Sequence, residues 1–246
     1  KLIDLFEFDQ FDLIIDNQTR VNNSLVFKKI PHKYFISPCM NFLLSKPFYF
    51  TKKNNNLTSR IINYFNKVHN KNISPDYNIK IPNDFLSESK QLMSNNKKYI
   101  GFSITAGHPT RDKEFQVDEI IKVANYFSEK KYIPTFFIEK KYVELKNSLK
   151  EKVENAFFPE ELVDEKFQNP MIVTALGSLT EFNITIDNGI SHMLSFSNNK
   201  NYIFYNNFSE KFRPLCNNTI IFDCKKNNRT IEKLTHEEII SFINNN

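Results

Sequence analysis

The chain has 246 residues, 40% hydrophobic and 25% charged, a globular composition that suits one large or two modest domains and excludes fibrous, collagen-like and wholly disordered classes. Charged or Asn residues interrupt every apolar run well before the roughly 18 residues of a membrane span, so a soluble chain is expected, and its start at Lys1-Leu2-Ile3-Asp4 reads as a cut edge without a signal peptide. The net charge of +5 favours anionic partners such as phosphates, nucleotides or lipid head groups, but with only five arginines the basicity does not suit a nucleic-acid reader.

Three cysteines without CxxC spacing leave nothing for a disulfide framework and read as reduced thiols. Five histidines without HxxxH or HExxH spacing leave nothing for a metal cage built by the protein.

The elements follow an α/β alternation. Phe11–Asp16 reads as a buried strand ending in a carboxylate and Tyr34–Ile36 as a short second strand. Leu57–Asn70 carries Leu57, Ile61, Tyr64, Phe65 and Val68 at helical spacing, with Asn54, Asn55 and Asn56 to cap it. The polar stretch Ser87–Lys98 reads as a linker between domains spanning 1–96 and 97–246.

Beyond it the spacing predicts strands at Tyr99–Thr105, Ile133–Ile138, Ala156–Phe158, Phe182–Asp187, Tyr202–Tyr205 and Thr219–Phe222. Helices are predicted at Val117–Glu129, Tyr142–Val153, Thr174–Glu181 and Ile190–Ser197. A closing helix starts at Thr235, which forms a capping box with Glu238. This pattern is a nearly complete Rossmann-like domain.

Only four glycines occur, and two of them stand at strand-to-helix turns. Around Gly107 the chain reads Thr105-Ala106-Gly107-His108-Pro109-Thr110-Arg111-Asp112-Lys113-Glu114-Phe115, which offers hydroxyls, a glycine backbone and two cations before a helix. Those are the parts of a diphosphate site, and equally those of a solvated polar loop. Around Gly189 it reads Asp187-Asn188-Gly189-Ile190-Ser191-His192, where a strand delivers Asp187 to a sheet edge and Ser191 and His192 sit in a first helical turn with free N–H groups. The alternative is a plain helix cap by Asp187 or Asn188 with His192 half-buried. Both turns are expected at the same edge of one parallel sheet, opening on one cleft.

The two turns in this order, with Phe11-Asp12-Leu13-Ile14-Ile15-Asp16-Asn17-Gln18, resemble the family 9 glycosyltransferases, which include the lipopolysaccharide heptosyltransferases. The resemblance implies an α/β GT-B fold of two Rossmann-like domains, the N-terminal one incomplete and on the acceptor side, the C-terminal one holding the donor. It implies an inverting, metal-independent transfer of a heptose-like sugar from a nucleotide-sugar, ADP-heptose among the candidates, to a lipopolysaccharide-core or other lipid-linked acceptor. The donor is a substrate, so no cofactor is implied. A cytoplasmic protein with peripheral contact at the inner membrane follows from that acceptor, and no nucleic-acid partner.

Residue by residue, Thr105, Gly107, Thr110 and Lys113 match the donor-phosphate turn, and Asp187, Asn188, Gly189, Ser191 and His192 the second phosphate turn. Glu139 and Glu144 compete for a glutamate that meets the donor ribose. Lys113 would stabilise the leaving group. Asp16 is a weak candidate for the base, since a carboxylate at a strand end is more often a cap, and the family's own base lies on a Gly-Asp loop that nothing before Phe11 matches. That loop is expected upstream of residue 1, leaving an apolar edge beside Phe11–Asp16. Phe115 replaces a Trp, Asn188 a Ser or Thr, and Tyr205-Asn206-Asn207-Phe208 a Gly-Pro-Thr. These departures favour a competing reading, a non-catalytic sugar-nucleotide-binding or assembly protein.

Overall fold

The computed structural model describes residues 10–49, 56–107 and 113–246. The chain forms two compact units, one of residues 1–76 with 209–213 and one of 77–208 with 214–246. No helix among the described residues is long and apolar enough to cross a membrane.

In the first unit, strand β1 (Phe11–Ile15), helix α1 (Val21–Phe27) and strand β2 (His32–Ile36) make a parallel β-α-β unit in which Leu13 pairs with Tyr34 and Ile15 with Ile36. Helix α2 (Leu57–His69) begins where Asn56 Oδ1 accepts the Ser59 N–H at 3.2 Å, and ends on Asn70 in the left-handed region at φ +49°. The small core is Ile36, Phe42 and Tyr64, the two rings stacked with centroids 4.8 Å apart. Segment 209–213 returns to this unit, and its Lys211 carbonyl accepts the Leu57 N–H at 3.0 Å. Phe11 and Ile15 of β1 are 46% and 52% exposed.

The second unit starts with helix α3 (Asn83–Leu92), where the sequence reads as a linker. Ser87, Lys90 and Gln91 are on the solvent face of this helix, and the exposed residues 94–97 follow it as a turn. Its other face buries Ser89, packs Phe85 against Phe167 at 5.0 Å between ring centroids, and leads to the fully buried Met93. The boundary between the units therefore falls after Asp76 instead of after residue 96.

Strands β3 (Lys98–Ser103), β4 (Tyr132–Phe136), β5 (Thr180–Ile186), β6 (Lys200–Tyr205) and β7 (Thr219–Asp223) form one parallel sheet in the order β4-β3-β5-β6-β7. Helices α4 (Val117–Glu129), α5 (Val143–Lys152) and α8 (His236–Asn244) contribute to one hydrophobic cluster with the sheet, among them Ile120, Phe127, Leu149 and Ile239. Helices α6 (Pro170–Gly177) and α7 (Gly189–Ser195) build a second cluster around Tyr99, Phe137, Leu176 and Leu194. Sheet faces covered on both sides explain why strands such as Lys98–Ser103 are buried almost end to end.

Helix α1 has no counterpart in the sequence reading, and two further elements differ from it. The helix expected at Thr174–Glu181 is α6, displaced toward the N-terminus, because Asn169 caps it by accepting the Met171 N–H at 2.9 Å and Pro170 occupies its first position. Residues Ile172–Gly177 are all buried, so no polar face marks the helix in the sequence. The strand expected at Ala156–Phe158 shrinks to a single parallel bridge from Phe157 to Thr135, after which Pro159 opens a 3₁₀ turn, Pro159–Glu161. The capping box of α8 is complete, with Thr235 Oγ1 accepting the Glu238 N–H at 3.4 Å and Glu238 Oε2 accepting the Thr235 N–H at 3.0 Å.

Candidate functional site

Strand β3 is the turning point of the sheet: its neighbours β4 and β5 lie on opposite sides, and the chain leaves β3 and β5 at the same carboxyl edge. A crevice at such a switch point is where open parallel sheets bind ligands. The turn after β3 carries Gly107 and the turn after β5 carries Gly189, as expected from the sequence. Both line one cavity of about 480 Å³.

Each turn is fixed by a polar side chain. In the first, Gly107 adopts φ +71°, a conformation that costs roughly 1–2 kcal/mol for a residue with a Cβ. The Glu114 carboxylate accepts the Ala106 N–H at 2.7 Å, and Lys141 Nζ donates to the Gly107 carbonyl at 3.1 Å. In the second, Asn188 caps α7 by accepting the Ser191 N–H at 2.8 Å. Its Nδ2 donates to Ser103 Oγ and to the Thr105 carbonyl, both at 2.9 Å. One side chain thus both starts the helix and ties the β5 turn to the end of β3, a double role open to the longer amide of Asn and not to Ser or Thr.

Across the same gap, Lys113 Nζ is ion-paired and hydrogen-bonded to Asp187 Oδ2, so the charged groups of the two turns meet although 74 residues separate them. Their side chains are 29% and 27% exposed, open to a ligand. Half-buried His192 has its imidazole held below its ordinary pKa by burial, against the opposing pull of the Asp187 carboxylate, which favours the neutral ring at neutral pH.

The remaining sequence candidates sort clearly. Thr105, Glu139, Asn188 and Gly189 line the cavity with Gly107. Of the competing glutamates it is Glu139 that lines the cavity, where it pairs with Lys141 at 2.7 Å, while Glu144 is exposed on the first turn of α5. Thr110 lies outside the described residues. Ser191 is fully buried and its N–H is bound to Asn188, which corrects the reading of a free N–H there. Asp16 is 4% exposed and accepts from Ser24 Oγ at 2.5 Å, Ser37 Oγ at 3.0 Å and the Gln18 N–H at 2.9 Å. That carboxylate joins β1, α1 and the end of β2, the cap role instead of a base.

The sequence reading missed the far wall of the cavity. Ile138, Val163, Ile172, Val173 and Met193 supply apolar surface, and Glu160, Gln168 and Asn169 polar groups. Burial pushes the Glu160 carboxyl up to about 7 and Glu139 adds to the rise, against the lowering effects of Lys146 and of the hydrogen bond from the Ile138 backbone N–H. A legible signal existed: Ala156–Phe158 reads as a strand stopped by Pro159, which places the next residues at the sheet's carboxyl edge. Elsewhere, Glu119, His236 and Glu237 bring ligand atoms close enough to share a cation. Glu119 is there committed to α8, accepting the His236 N–H at 2.7 Å and lying 2.8 Å from His236 Nδ1, and none of the three lines the cavity.

No protein-family model and no curated protein sequence matches the chain. Solved structures do. A glycosyl transferase family 9 protein from Veillonella parvula superposes with a TM-score of 0.76 at 18% identity, over 96% of this chain and 74% of its own. The fold is that of the family 9 glycosyltransferases. The E. coli heptosyltransferase WaaC with ADP-2-deoxy-2-fluoro heptose matches at TM-score 0.72 and 15% identity, over 96% of this chain and 73% of its own. The E. coli ADP-heptose lps heptosyltransferase II gives 0.69 and 15%, over 96% and 76%. The α/β, GT-B-type architecture implied by the family resemblance is thus present.

Gly189 offers a clean probe of the cavity. A Cβ built there meets nothing within 4 Å, so Gly189→Ala is expected to leave stability within about 0.5 kcal/mol of the parent. A ligand whose phosphate rests on that backbone would lose affinity several-fold. Parallel thermal melts and calorimetric titrations with a nucleoside diphosphate check both halves of this result.

Proposed function

We propose that the chain is a glycosyltransferase that moves a heptose-like sugar from an ADP-linked donor to a lipopolysaccharide-core or other lipid-linked acceptor. The observation that carries this reading is the convergence of Gly107, Asn188 and Gly189 on one cavity at the sheet's switch point, with the Lys113–Asp187 pair joining the same two turns without lining that cavity, in a fold shared with WaaC, whose structures hold ADP and an ADP-heptose analogue. The 77–208 and 214–246 unit holds the donor and the other unit serves the acceptor.

In this reading the diphosphate lies against the Gly107 and Gly189 turns, with Lys113 exchanging part of its bond to Asp187 for a phosphate oxygen. Transfer breaks the bond from the sugar C1 to the diphosphate oxygen, while the acceptor hydroxyl attacks C1 from the opposite face and inverts it. Negative charge grows on the departing diphosphate, where a fixed ammonium group stabilises it more than in the ground state. The positive charge of Lys113 is why no metal is needed in this scheme. Neutral His192 adds a hydrogen-bonding group without a competing charge. The base is assigned to the Gly-Asp loop of the family resemblance, because Asp16 is committed to its serines. The lipid-linked acceptor would bring this chain of net charge +5 to the cytoplasmic face of an anionic membrane.

The test is calorimetric titration with ADP and ADP-heptose, followed by transfer to a heptose-deficient lipopolysaccharide core. Saturable donor binding with transfer supports the reading. Binding without transfer supports the non-catalytic alternative, which the replacement of Gly-Pro-Thr by Tyr205-Asn206-Asn207-Phe208 favours, and absence of binding overturns both.

A further inference from the structure

The cavity has two chemically different parts. The turns after β3 and β5 offer it backbone and amide groups suited to phosphate. The cavity continues past the end of β4 to the 3₁₀ turn at Pro159–Glu161, where its walls become aliphatic: Ile138, Val163, Ile172 and Val173. Such a slot suits a flat aromatic ring, with few polar groups to fix its edge. The acidic group in that wall is Glu160.

Glu160 shares that wall with two amides, but Gln168 is engaged by Lys140 and the Val163 carbonyl and Asn169 caps α6, which leaves the carboxyl group uncommitted. Its neighbour Glu161 already answers the local lysines, bonding Lys146 at 2.8 Å and Lys150 at 2.7 Å. Glu160 is therefore spare as a salt-bridge partner, and it faces the cavity with the Ile138 N–H donating to it. We infer that Glu160 reads the base of the donor nucleotide, its carboxylic acid donating one hydrogen bond to a ring nitrogen of adenine and accepting one from the adjacent N6 amino group. The inference rests on the ADP-donor reading above and extends it to a specificity-determining residue.

Only the neutral acid supplies that donor and acceptor pair; a carboxylate has two acceptors and suits the N1–H and N2 amino edge of guanine instead. The groups facing Glu160 are Lys146 of α5, which favours its charged form, Glu139 after β4, which opposes it, and the Ile138 N–H, which favours charge; Lys140 also lines the cavity. Burial outweighs the two that favour charge and leaves the acid titrating at about 7. Adenine recognition should then weaken as pH rises through neutrality, because a ligand that binds the protonated form loses affinity once the proton leaves.

The experiment is isothermal titration of the full chain with ADP and GDP at pH 6, 7 and 8. Taking the ratio of the two affinities cancels the titration of the phosphates they share. The expected result is that the ratio of ADP to GDP affinity falls about tenfold or more from pH 6 to pH 8, as a site with a pKa near 7 requires. In Glu160→Gln, whose amide keeps a donor and an acceptor at every pH, the ratio is expected to become flat. Glu160→Leu should lose about tenfold in ADP affinity at pH 6, and the Gln variant should recover most of it. A ratio that does not change with pH in the parent protein, or ADP binding by Glu160→Leu equal to the parent at pH 6, would overturn the assignment while leaving the ADP-donor reading intact. Failure of the parent to bind either nucleotide would overturn both.

Discussion

Replacing Lys113 by alanine is expected to weaken ADP and ADP-sugar binding by roughly 1.5–3 kcal/mol, about 10- to 150-fold, the range for a hydrogen bond to a charged group. The folded protein should hardly register the change. The Lys113–Asp187 pair is more than a quarter exposed on both sides, and exposed ion pairs contribute at most about 1 kcal/mol. That separation is the informative part. A lysine held only for structure would cost stability and leave affinity alone; a lysine that receives a diphosphate does the reverse. Calorimetric titration beside a thermal melt distinguishes them, and an unchanged dissociation constant for ADP would remove Lys113 from the donor site. Asp187→Asn is a useful companion, since it frees the ammonium group from its carboxylate while keeping the shape of the turn.

Asn188→Ala should instead damage the fold of the site. The variant loses the cap on α7, worth about 1 kcal/mol, and the two bonds from Nδ2 to Ser103 and Thr105, worth about 1 kcal/mol each. A total of roughly 2–3 kcal/mol corresponds to a fall in melting temperature of about 5–10 °C for a chain of this size. Asn188→Ser, the residue type usual for the family at this place, keeps a capping oxygen but cannot span the gap to β3. It should therefore lose about half as much stability and still loosen the two turns relative to one another. Equal melting temperatures for the Asn, Ser and Ala forms would show that the amide bridge contributes nothing. Asn188→Asp is the sharper chemical test, because it retains the cap and places a carboxylate oxygen against the Thr105 carbonyl.

What the sequence by itself determined about this protein is what local patterning can encode. The buried strands at Lys98–Ser103 and Thr180–Ile186, the amphipathic run Val117–Glu129 and the Thr235–Glu238 capping box are each specified by residues a few positions apart. Glycine was informative because it was scarce: the turns at Gly107 and Gly189 stood out, and they do open at one sheet edge. The helices that were missed or misplaced are those whose pattern is supplied by their neighbours. The solvent face of α3 reads as a linker because its apolar residues acquire meaning only against Phe167, and α6 is buried from Ile172 to Gly177, so no polar face fixes its bounds.

The site itself was a tertiary decision. Nothing near Lys113 in sequence announces that its ammonium group will meet Asp187, nor that Asn188 will reach Ser103 as well as cap its own helix. Both follow from β3 and β5 being neighbours in the sheet, a pairing between residues about 80 positions apart that backbone hydrogen bonding enforces and no local spacing reveals. The same physics explains two further acids. Asp16 looks like a free strand-end acid until Ser24 and Ser37 close around it, and Glu160 looks like one solvated acid in Pro159-Glu160-Glu161 until the packing of α6 and the end of β4 places it in an apolar wall. Charge and hydrogen-bonding capacity are properties of a residue; whether water or protein answers them is set by burial, which only the folded chain possesses.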